Sequence, residues 1–137
     1  MIVDSSAIVA ILFDEPDAER YAAALQAAPR RCMSVGNALE ASIVVERRGG
    51  AATADDLDRF FERFRIELVP VTTEQLAAAR RAWRRFGRGN HPAGLNFGDC
   101  FAYALAETTG EPLLFKGADF ALTDVAAAVA EDGAGGP

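Results

Sequence analysis

Short β-rich apolar runs alternate with longer stretches of helical period along the chain. Met1-Ile-Val-Asp4 reads as a short buried strand ending in an acid, and Ser5 and Ser6 stand where a helix cap belongs. Residues 7–13 are apolar nearly all round, which predicts a buried helix. Pro16 suits the first turn of a second helix, with Ala18, Tyr21, Ala22 and Leu25 at helical spacing and Pro29 as its end. Residues 31–34 allow a second short strand. Residues 36–48 predict a strong helix, with Leu39, Ile43 and Val44 on one face and Gly49-Gly50 as the stop. Thr53 caps a further segment whose apolar stripe is Leu57, Phe60, Phe61 and Phe64. Residues 66–71 alternate as a strand does. Residues 73–86 predict a helix with Leu76, Ala79, Ala82 and Trp83 inward. Three Gly residues, His91 and Pro92 make 87–95 the one long loop. A helix over 97–109, a strand over 111–115 and a turn over 116–119 follow, and 125–129 fits a last strand or helix.

Strands alternating with helices predict a parallel sheet covered by helices on both faces. In such sheets sites lie beyond the carboxyl ends of the strands, at the switch in strand order. The 137 residues fit one domain, expected over 1–129, with residues 130–137 as a flexible Gly-rich tail.

Half the residues are apolar, enough for a real core. The longest apolar run falls far short of the roughly 20 residues that cross a membrane. The opening residues have no basic stretch or long apolar core of a signal peptide, so a soluble cytoplasmic protein with no membrane partner is expected. Cys32 and Cys100 have no metal-ligand spacing and read as small buried hydrophobes. The formal net charge of −6 argues against phosphate binding over the whole surface, and for acids gathered to do local work.

Taken singly, each candidate acid has a structural use. Asp4 fits a helix N-cap. Glu40 follows Asn37, and Asp99 follows Asn96, at capping-box spacing. Asp119 favours a turn. Taken together they stand at strand ends and helix starts, which face one edge of a parallel α/β sheet. Four carboxylates there would repel one another, and a hard divalent cation with oxygen ligands relieves that. No His-Cys or multi-His spacing points to zinc, and no Walker loop, GxGxxG or GxSxG motif is present. His91, the only histidine, sits in the long loop, where idle histidines are common.

The opening Met-Ile-Val-Asp-Ser-Ser-Ala, the Asn37-Ala-Leu-Glu40 helix start, the run Leu95-Asn-Phe-Gly-Asp-Cys-Phe-Ala-Tyr-Ala-Leu-Ala106 and Leu113-Leu-Phe-Lys-Gly-Ala-Asp-Phe120 together resemble the PIN-domain ribonucleases. Within them, the chain is most similar to the VapC toxins of bacterial toxin–antitoxin pairs. The resemblance implies a three-layer α/β/α fold with a central, mainly parallel sheet. It implies magnesium- or manganese-dependent endonucleolytic cleavage of a cellular RNA, such as tRNA or rRNA, by water activated at the ion. Asp4 and Asp99 would bind the ion most directly, with Glu40 and Asp119 completing the ligands or orienting the water. Ser6 matches a hydroxyl residue that supports the first acid. Asn96, the cap of Asp99's helix, and Asp124 are further supporting candidates. Where the family carries a polar residue before the last acid, this chain has Ala118. A cognate VapB-type antitoxin and a homodimer packed through helices are also implied. The 7–13 helix and the phenylalanine stripe are available for those contacts or for the core.

Arg80, Arg81, Arg84, Arg85 and Arg88 form two rows on one helix and the loop after it. They read either as a solvated face or as a stripe guiding RNA phosphates to the acids, with Arg47, Arg48 and Lys116 as additions. Trp83 among them reads as core rather than as a base-stacking platform. Two rivals remain. A phospho-acceptor receiver domain also has an early acid and a late Lys, but needs an acceptor Asp ending a middle strand, for which Asp55, Asp56 and Asp58 are poor candidates. A silent PIN-like binding module would use the acids only as caps.

Overall fold

The computed structural model describes residues 1–130; the expected tail falls, from residue 131 on, outside the described residues. The chain runs β1 (Ile2–Val3), α1 (Ser5–Leu12), α2 (Ala18–Ala27), β2 (Arg31–Ser34), α3 (Val35–Gly49), α4 (Thr53–Arg63), β3 (Ile66–Val69), α5 (Thr73–Phe86), α6 (Phe97–Thr109), β4 (Leu113–Leu114) and a 3-10 turn, Phe120–Leu122. The described strands form one parallel sheet in the order β3-β2-β1-β4. The chain builds outward from β1 to β3, then returns to place β4 on the other side of β1. Beyond the carboxyl ends of β1 and β4 lies the crevice such a reversal opens.

Alternation along the strands sorts the core into two halves. Val3, Met33 and Leu114 face the side covered by α1 to α4, among Ala7, Ile8, Leu25, Ala41, Val45, Leu57 and Phe60. Ile2, Cys32 and Leu113 face the side covered by α5 and α6, among Ala82, Phe86, Ala102, Tyr103 and Leu105. The result is the expected three-layer α/β/α sandwich. Both cysteines are buried and unpaired.

Five local expectations change. Pro16 precedes α2 by a turn, so it does not open the helix. α3 starts earlier than 36, because β2 ends in extended backbone at Ser34 and that side chain caps the helix by accepting from the Gly36 amide. Asn37 is therefore inside the first turn and fully buried, not a cap. On α5 the buried positions are Gln75, Ala78, Ala82 and Phe86, while Leu76 and Trp83 are about half exposed. Small residues let α5 lie close to α6, which turns the larger apolar side chains out. Residues 125–129 form neither strand nor helix, although Ala127 makes an isolated parallel bridge to Leu113.

Candidate active site

Asp4 leaves β1 in extended backbone and caps α1. Its Oδ2 accepts from the Ser6 amide at 3.0 Å and from Ser6 Oγ at 2.6 Å. Ser6 Oγ in turn accepts from the Lys116 amide at 2.9 Å, so this hydroxyl ties the Asp4 carboxylate to the end of β4. Asp4 is 3% exposed, and its Oδ1 is buried with no hydrogen-bond partner. Burial pushes its pKa up to about 6, against the two bonds from Ser6, with the nearby Glu40 charge adding to the rise.

Glu40 projects from the second turn of α3, where Ser5 Oγ donates to its Oε1 at 2.5 Å and Asn37 Nδ2 at 3.2 Å. Asp99 stands in the first turn of α6 in a full capping box. Its amide donates to Asn96 Oδ1 at 2.9 Å, and its Oδ2 accepts from the Asn96 amide at 3.0 Å. Burial raises Asp99 to about 7, opposed by that amide bond and reinforced by the charges of Asp4, Asp119 and Glu40. Asp119 ends the turn after β4, immediately before the 3-10 segment. All four acids line one cleft of about 350 Å³, together with Ser5, Ser6, Glu15, Asn96 and Lys116.

This donor set fits a hard divalent cation: it is all oxygen, it contains a buried carboxylate oxygen without a partner, and like charges meet there. Among the described residues no three acids, histidines or cysteines are gathered into a ready ligand group.

The remaining candidates are divided. Lys116 lies in the cleft, but its Nζ pairs with Glu15 at 2.8 Å, and Arg48 holds the other Glu15 oxygen at 2.6 Å. These two cations hold Glu15 below the usual carboxylate range. Asp124 lies apart from the acid cleft, accepting from Tyr103 at 2.5 Å and from Arg85 at 3.1 Å. Arg81 pairs with Glu107. Arg80 and Arg88 border a groove of about 590 Å³ lined by Leu76, Trp83, Phe97 and Phe101. Asn96 lines both that groove and the acid cleft, so the two adjoin. Trp83 is 46% exposed, not core. His91 accepts from the Ala93 amide through Nδ1 and meets the Phe86 ring edge-on, which gives it a role in shaping the loop. Sequence reasoning missed Ser5, Asn37 and Glu15. In the sequence Ser5 and Asn37 read as helix-start residues, and Glu15 carries no motif. Asp55, Asp56 and Asp58 lie on α4, so no strand-end acceptor supports the receiver reading.

The sequence profile of the PIN domain matches residues 1–126. A protein named Ribonuclease VapC from Mycolicibacterium smegmatis is 54% identical over 127 residues, covering 93% of this chain and 98% of that one. Ribonuclease VapC30 from Mycobacterium tuberculosis is 51% identical over 126 residues, covering 92% and 96%. Among solved structures, Mycobacterium tuberculosis VapC20, titled a sarcin-ricin loop cleaving toxin, superposes with a TM-score of 0.72 at 16% identity, covering 90% of this chain and 95% of that chain. A chain from a toxin–antitoxin complex of Klebsiella pneumoniae superposes with a TM-score of 0.68 at 12% identity, covering 90% and 92%.

Proposed function

Since the chain belongs to the PIN-domain family and, within it, to the VapC ribonucleases of toxin–antitoxin pairs, we propose that it is a magnesium- or manganese-dependent endoribonuclease of the cytoplasm, cutting a cellular RNA such as tRNA or rRNA and silenced by a cognate VapB-type antitoxin. The observation that carries this reading is the meeting of Asp4, Glu40, Asp99 and Asp119 in one cleft, with a buried Asp4 oxygen left without a partner.

Asp4 and Asp99 would hold the cation, and Glu40 and Asp119 would complete its shell or orient the attacking water. A bound Mg²⁺ or Mn²⁺ supplies Lewis-acid stabilisation of phosphate charge and a more acidic water. Ser6 fixes the rotamer of Asp4, and Asn96 fixes that of Asp99. Arg80 and Arg88, which border the adjoining groove, would meet RNA phosphates, with Arg84 on the helix of Arg80. Arg81 and Arg85 are turned to acids on the other side. Lys116 reaches phosphate once it leaves Glu15, and a partly exposed pair of this kind is worth only about 0–1 kcal/mol. The same acids suit an arginine brought in by an antitoxin.

In the assay that tests this, purified protein is incubated with total RNA and magnesium, with and without EDTA, beside Asp99→Asn. Cleavage should require the metal and the acid. Products formed equally in EDTA, or by a folded Asp99→Asn protein, would overturn the reading.

A homodimer is the second part of the proposal, through a face other than the 7–13 helix and the phenylalanine stripe. The α1 segment is mostly core, as are Leu57, Phe60 and Phe64. Instead Val35, Leu39 and Ile43 form an exposed stripe on α3, and Leu76 and Trp83 one on α5. Phe101, packed on Phe97 at 4.9 Å and close to Gly36, joins the two. Phe97 is 81% exposed. A contiguous exposed apolar face marks an interaction surface. Ile43→Glu combined with Leu76→Glu should convert a dimer to a monomer in light scattering after gel filtration. An unchanged mass would place the interface elsewhere.

A further inference from the structure

Glu40 is held in the cleft by residues outside the acid set. Asn37 is fully buried one turn before it on α3. Its Nδ2 donates to Glu40 Oε1 at 3.2 Å and to the Gly98 carbonyl at 2.9 Å. The amide orientation follows from those partners: turned the other way, the carbonyl would face two acceptors. Asn37 Oδ1 is buried and without a hydrogen bond, a cost accepted by the arrangement that aims Nδ2 at both oxygens. Gly98 precedes Asp99 in the first turn of α6, so one side chain connects the helix of Glu40 to the helix of Asp99.

Gly98 has a second part in this joint. A Cβ built on it would overlap the Glu40 carboxylate, so that carboxylate lies in the space a side chain would fill. The backbone at Gly98 is ordinary helix, with no positive φ. Conformational freedom is therefore no reason for a glycine here, and glycine is a poor helix former. The local reason is the room it leaves for Glu40.

From this geometry we propose that Asn37 and Gly98 are positioning residues of the site: they form a joint between α3 and α6 that sets Glu40 relative to Asp99. The proposal rests on the metal-nuclease reading. Neither residue touches substrate; both act through Glu40. Loss of a residue that orients a metal-binding group typically lowers metal affinity or activity by about 10- to 100-fold.

Gly98→Ala separates positioning from folding, because the atoms it displaces are the far end of a flexible side chain. The melting temperature should stay at or above the wild-type value. The Mn²⁺ dissociation constant from calorimetry should rise at least about 10-fold, and kcat for RNA should fall by a similar factor with little change in KM. Asn37→Leu should shift both in the same direction. In a Glu40→Gln background, Gly98→Ala should add less than about 2-fold to the loss, because its target is gone. Wild-type Mn²⁺ affinity and kcat in a folded Gly98→Ala protein would overturn the proposal. So would an unfolded Gly98→Ala protein, or losses that multiply in the Glu40→Gln background. A wild-type protein that neither binds Mn²⁺ nor cleaves RNA would instead remove the metal-nuclease reading itself.

Discussion

Replacing Asp4 by Asn should abolish RNA cleavage and at the same time make the cation-free protein more stable. Asp4 is almost wholly buried, its pKa stands at about 6 instead of 3.8, and one of its oxygens has no hydrogen-bond partner. Holding that carboxylate ionised costs about 3 kcal/mol at neutral pH and above. The Asn amide removes the charge and can keep an oxygen on the Ser6 bonds, but it buries an N–H pair, which returns about 1–2 kcal/mol of the gain. The net of about 1–2 kcal/mol should raise the melting temperature in EDTA at pH 8 by roughly 3–8 °C. A divalent cation contributes several kcal/mol to the transition state, so losing a main ligand should cost on the order of 10³-fold in kcat/KM. Calorimetry and a cleavage assay on the same preparation check both signs. Activity within 10-fold of wild type would remove Asp4 from the site, and a lower melting temperature would show that it serves the fold.

The second large effect is on the pH dependence of stability. Burial holds Asp4 at about 6 and Asp99 at about 7, both above the ordinary 3.8. Between about pH 4 and 7 the folded chain therefore binds more protons than the unfolded one. Unfolding free energy then falls as pH rises through that window and levels off above it. In EDTA the melting temperature should drop on the order of 10 °C from pH 5 to pH 8. On the proposed reading Mn²⁺ or Mg²⁺ would bind the ionised acids and stabilise the folded state by mass action, so it should recover most of the loss at pH 8 and little at pH 5. The same pair of scans on Asp99→Asn should show a flatter profile and a smaller response to the cation. A wild-type curve that rises with pH in EDTA would contradict the burial of these two carboxylates.

Much of the architecture was written in the order of patterns. Short apolar runs separated by amphipathic stretches leave little but a parallel sheet between helices, and α6 could be bounded to the residue because Asn96 and Asp99 form a capping box while Gly110 closes the helix. The inward faces differed where side-chain size set the packing. Leu39, Ile43, Leu76 and Trp83 have the spacing of core positions, yet alanines on neighbouring faces make the close contacts and leave these larger residues outside. Periodicity reports which residues share a face, and it does not report whether that face meets the sheet or solvent.

The acids divide along the same line. That Asp4, Glu40, Asp99 and Asp119 belong together followed from their places at strand ends and helix starts, because a parallel sheet brings those points to one edge. Which of them is buried, what holds each one and which cations reach the cleft depended on contacts between segments 21 to 110 residues apart. Lys116 beside Glu15, Asp124 beside Tyr103, and Asn37 between Glu40 and Gly98 are examples. By itself the chain determined the layers, the parallel sheet and the gathering of acids at one of its edges, because these are set by local periodicity and residue type; the strand order and its switch point came from the packing of the strands. Only the tertiary structure decided the acids' protonation, their partners and the exposed apolar face, because burial and charge–charge distance are properties of packed segments.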